Sequence, residues 1–60
     1  MNLEDEEKVI FDCFKSVAQE SLDNIALSTG FSISKTATLL FKLEMKGCVK
    51  PLPGKLFEWI

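Results

Sequence analysis

From Ser32 to Gly47 the polar and apolar residues follow one helical rhythm. At about 100° per residue, Lys35, Thr38, Lys42 and Lys46 share an arc, and Ile33, Thr36, Leu39, Leu40 and Leu43 lie opposite as a core stripe. A flank of Ala37, Phe41 and Met45, begun by Ser34, runs between them and widens the apolar arc beyond one core contact, interrupted chiefly by Glu44. Ser32 can accept a hydrogen bond from an unpaired N–H of the first turn, and Gly47 tolerates the positive φ that ends a helix. Lys46 suits the negative end of the helix dipole. A helix follows, and because so short a chain cannot surround it, part of the Ala37/Phe41/Met45 flank is expected at the surface.

Upstream, Asn2 is placed to cap a first helix whose first turn holds Glu4, Asp5, Glu6 and Glu7, read as a solvated acidic start that complements the dipole. Leu3, Ile10, Cys13, Phe14 and Val17 form its inward stripe, flanked by Val9 and Phe11. Ser21 then caps a short second helix with Leu22, Ile25, Ala26 and Thr29 inward, which must stop at Gly30. The tight segment Ser28–Ser32 leads straight into the next cap. Ala26 and Gly30, one small residue where helices cross and one glycine where the chain reverses, mark a helix-turn-helix.

After Gly47 the period changes. Residues 48–51 and 55–60 read as two strands, the second with Phe57 and Trp59 on one face and Leu56, Glu58 and Ile60 on the other. Pro53 and Gly54 suit the central positions of a type II turn between them. Pro51, which cannot donate to a ladder, belongs on an edge. A short strand around Gln19–Ser21 is expected to join the hairpin. The fold class is mainly α with a small β-hairpin: a winged helix-turn-helix of three helices and a C-terminal wing, with residues 1–60 as one domain.

Composition narrows the chemistry. The chain is 47% hydrophobic and 27% charged, the balance of a globular protein, and no apolar run approaches the roughly 20 residues of a membrane span. The start is acidic, unlike a secretory signal, so a cytoplasmic location is expected. Cys13 and Cys48 occur without any histidine, which leaves too few ligands for zinc. Two reduced thiols packed as small hydrophobes are expected, with a single disulfide as the alternative. No histidine base, glycine-rich phosphate loop or nucleophile setting is present, so neither an enzyme nor a cofactor is expected. The net charge of −2 divides unevenly: residues 1–12 hold five acids and one lysine, and residues 13–60 six lysines and four acids. A local basic patch can therefore coexist with an acidic total. With no arginine, the best reader of guanine edges is missing.

Four stretches carry a family resemblance: Ser21-Leu-Asp-Asn-Ile-Ala26 with Thr29-Gly30; Leu39-Leu-Phe-Lys-Leu-Glu44; Lys46-Gly-Cys-Val49; and Leu52-Pro-Gly-Lys-Leu-Phe57. Across residues 5–59 the chain resembles the small C-terminal winged-helix domain of the DprA/Smf family. Family members often carry hydrophobic residues at the positions of Thr36 and Cys48, and basic residues where this chain has Glu58-Trp59. The resemblance implies a bacterial DNA-processing protein of natural transformation, which binds incoming single-stranded DNA and helps load the RecA recombinase. It also implies a parent chain with a preceding Rossmann-like domain that holds the main DNA site, from which these residues would be one excised module.

Two non-enzymatic functions follow. In the first, the third helix and wing make weak, sequence-independent contact with single- or double-stranded DNA through Ser34, Lys35, Thr38, Lys42, Lys46, Lys50 and Lys55, since lysines on phosphates give affinity without sequence reading. In the second, Ala37, Phe41 and Met45 dock a protein, such as RecA or a second copy of the domain. Trp59 is expected to close the core against Phe57 rather than to stack on a base.

Overall fold

A computed structural model describes residues 3–60. Three helices, α1 (Asp5–Asp12), α2 (Leu22–Thr29) and α3 (Ile33–Met45), pack on a sheet of three short strands, β1 (Gln19–Ser21), β2 (Val49–Leu52) and β3 (Leu56–Trp59). The sheet is antiparallel with order β1-β3-β2. This is the winged helix-turn-helix expected from the sequence, including the third strand at Gln19–Ser21. Pro51 sits on β2, at a sheet edge, where its missing N–H costs no ladder bond.

Local chemistry sets the helix limits. Ser21 accepts from the Asn24 N–H (3.1 Å) and Ser32 from the Lys35 N–H (3.1 Å), so both predicted caps form. Gly30, at φ 78°, ends α2 in the left-handed region. At the end of α3 the Gly47 N–H donates to the Glu44 carbonyl (3.0 Å) and the Cys48 N–H to the Leu43 carbonyl (2.9 Å), the paired bonds of a Schellman motif, with Gly47 at φ 79°. The Asn2 cap lies outside the described residues; the N-cap position of α1 is Glu4, whose N–H donates to Glu7 Oε1 (2.8 Å).

The core is built from Ile10, Phe14, Ile25, Leu39, Leu40, Leu43, Cys48 and Val49, with Phe57 and Trp59 packed against it from β3. Trp59 meets Phe11 at a ring-centroid distance of 4.7 Å and Phe14 at 5.7 Å, so it closes the core between sheet and α1. Thr36 is fully buried; its hydroxyl donates to the Ser32 carbonyl (2.9 Å), which satisfies it inside the helix. Cys13 is half-buried and Cys48 buried, and the two are not joined to each other.

Three expectations need correction. First, α1 stops at Asp12 instead of carrying its stripe to Val17, which is exposed. The Cys13 and Phe14 N–H groups donate to the carbonyls of Ile10 and Phe11, a tightening of the last turn that brings Phe14 inward and releases the chain toward β1. Second, Ile33 is 49% exposed, because it lies in the first turn at the rim of the buried arc formed by Thr36, Leu39, Leu40 and Leu43. Third, the hairpin connection sits one residue later than expected, with β2 running through Leu52 and β3 starting at Leu56. Leu52 pairs with Leu56, leaving Pro53, Gly54 and Lys55 between them, and Lys55 joins Gly54 at positive φ (60° and 82°). The Lys55 carbonyl accepts from the Leu22 N–H (2.9 Å), which holds this residue in place.

Candidate nucleic-acid interface

Helix α3 turns one face to the core and leaves the other open. Ser34, Lys35, Ala37, Thr38, Phe41, Lys42 and Met45 are all exposed. Phe41 (60%) and Met45 (73%) are covered neither by α1 nor by the wing, although Phe11 and Trp59 could have closed over Phe41 from the sequence alone. The hydroxyl of Thr38 donates to the Ser34 carbonyl (3.0 Å), so its remaining capacity outward is as an acceptor. No concave pocket opens among the described residues; whatever meets this face meets an open surface.

The lysines assigned to contact are not equivalent. Lys46 Nζ donates to Glu7 Oε1 at 2.6 Å. Glu7 is fully buried, contrary to the solvated start expected for α1. Its Oε1 takes both the Lys46 ammonium and the Glu4 N–H, while its Oε2 is buried with no hydrogen-bond partner among the described residues. The Lys46 hydrogen bond, followed by the Glu4 N–H, holds the Glu7 carboxyl below the usual carboxylate range despite its burial, and the nearby Lys42 charge adds to this. In return Glu7 raises the Lys46 ammonium above its ordinary value.

Lys35 pairs with Glu6 Oε2, and its ammonium stands 4.6 Å from the centre of the Phe31 ring. Both charged groups of that pair are about half exposed. Lys50 faces Glu58 directly across β2 and β3 and contacts it at 3.3 Å. Lys42, on α3, and Lys55, in the wing turn, are exposed, and among the described residues neither has an ion-pair partner. Ser34, Lys35, Thr38 and Lys42 are thus brought together on one helix face beside Ala37, Phe41 and Met45. Lys50 and Lys55 belong to the sheet side, and Lys55 is tied by its carbonyl to the start of α2.

Sequence reading missed Glu6 and Glu7 as partners of this face. The available signal was the Glu4-to-Glu7 spacing, which fits the reciprocal bonding of a helix start; nothing in that spacing says which lysine, far along the chain, the buried carboxylate will meet.

No curated protein and no solved structure matches the chain. The family model of the DprA winged helix domain matches residues 1–55 of the 60, and with three helices, a wing and the helix-turn-helix in their expected order, the chain belongs to the DprA winged helix domain family.

Proposed function

We propose that this domain is a non-enzymatic accessory module of a DNA-processing protein in natural transformation, giving weak, sequence-independent contact with DNA through the open face of α3. The family is one of non-catalytic domains. The observation that carries the reading is the exposed cluster of Ser34, Thr38 and Lys42, with Lys42 unpaired among the described residues and Lys35 beside it in a solvent-exposed pair. In winged helices this is the element that enters the major groove. Lysine ammoniums and small hydroxyls suit phosphate oxygens, which fix position without reading bases. Lys46 and Lys50 contribute less than the sequence implies, because Glu7 and Glu58 already answer their charges.

The test is fluorescence anisotropy with short single-stranded and duplex DNA. Lys35→Glu with Lys42→Glu abolishes binding while circular dichroism stays that of the parent. Affinity unchanged by the double substitution would sink the reading.

A second reading has its own observation, the exposure of Phe41 and Met45 one helical turn apart. Such a pair can anchor a protein, with the parent chain, RecA or a second copy as the partner. Phe41→Asp would then abolish association in sedimentation while leaving the fold intact, because the side chain is already at the surface. Association that survives Phe41→Asp removes this reading.

A further inference from the structure

We infer that the acidic first turn of α1 is an autoinhibitory contact, in which Glu6 occupies Lys35 and competes with DNA phosphate for it. This rests on the DNA-contact reading above. Glu6 and Glu7 are adjacent, yet they reach lysines near opposite ends of α3, so the first turn of α1 crosses that helix between them. Glu7 is buried and anchors the crossing through Lys46. Glu6, delivered by that anchor, lies on the surface with a carboxylate oxygen on the Lys35 ammonium. A carboxylate oxygen there offers the lysine what a phosphate oxygen would: a charge-assisted acceptor at hydrogen-bond range. Because both groups remain about half exposed, the pair is weak and exchangeable. A polyanion can displace it, at the cost of returning Glu6 to solvent close to its own charge.

Two alternatives make different predictions. Acidic residues at a helix start are favoured by the dipole whether or not a lysine stands opposite, and in that case Glu6 would have no bearing on DNA. A general electrostatic field would weaken DNA binding too, but without needing Lys35. Only competition requires both members of the pair.

The experiment measures binding of labelled single-stranded and duplex oligonucleotides of mixed sequence, as a function of salt, to the parent chain, to Glu6→Gln, to Lys35→Met, and to Glu6→Gln combined with Lys35→Met. Circular dichroism confirms that each is folded. Glu6→Gln is expected to bind about threefold to tenfold tighter at low salt, with a log–log salt slope steeper by about one ion as Lys35 becomes a phosphate contact. In the Lys35→Met background, Glu6→Gln should change neither the affinity nor the slope, because the residue it competes for is gone. Unchanged affinity and slope in Glu6→Gln, with the parent still binding in a salt-dependent way, overturns the inference and leaves the DNA reading standing. A gain from Glu6→Gln that persists when both variants carry Lys35→Met also overturns it, in favour of a general field. No binding by any of the four at low salt overturns the DNA reading, and the inference with it.

Discussion

Glu6 and Glu7 are neighbours in the first turn of α1 and both meet lysines of α3, but the two ion pairs differ in what surrounds them. Glu7 is wholly inside, with Lys46 reaching down to it at 2.6 Å from the partly solvated end of α3. Glu6 and Lys35 meet in water. A buried carboxylate has lost its hydration and must be compensated by the protein, so removing its cation leaves an unpaired charge in the core. An exposed pair exchanges one set of hydrogen bonds for another of nearly equal worth. The comparison teaches that charge pairing at one helix start can be structural at one position and regulatory at the next, with the side chain's direction deciding which.

The largest expected effect comes from breaking the buried pair. Lys46→Met should lower the folding equilibrium constant by roughly a hundredfold, measured by urea unfolding at neutral pH. Replacing both partners, Glu7→Leu with Lys46→Met, should recover most of the loss, since a matched apolar pair avoids the desolvation cost. A Lys46→Met domain as stable as the parent would mean that Glu7 does not depend on Lys46.

A smaller, graded effect comes from acid. The folded Glu7 carboxyl sits below the usual carboxylate range because Lys46 and the Glu4 N–H favour its charged form. Its contribution is therefore complete above that range and is lost as pH falls through it to the lower folded value. The stability of the parent should fall toward that of the Glu7→Leu/Lys46→Met variant over this window. A constant difference between the two curves would show that the carboxyl does not titrate with folding.

The smallest effect belongs to the exposed pair. Lys35→Met should change stability by less than about 1 kcal/mol, even counting its contact with the Phe31 ring. A loss as large as that of Lys46→Met would make the Glu6–Lys35 pair structural and erase the contrast.

Much of the fold was legible because its signals are local. Ser21 and Ser32 declare helix starts, Gly30 and Gly47 declare ends that need positive φ, and Pro51 declares an edge. The wing register was less so, since the left-handed Lys55 is held by a bond from Leu22, far away in sequence. The face of α3 was readable as an arrangement, but its exposure was not: periodicity places Phe41 beside Ala37 and Met45 without saying whether α1 reaches over them. The charge pairs were invisible for the same reason. Four acids in a first turn look alike in sequence, and only the crossing of α1 over α3 buries Glu7 while leaving Glu6 outside.

The most direct test of the account is an NMR titration of the isotope-labelled domain with short single-stranded and duplex DNA, at low and then moderate salt. The account predicts amide shifts clustered at Ser34, Lys35, Thr38 and Lys42 that fade as salt rises. The absence of shifts at low salt, or shifts away from the open face of α3, would contradict it.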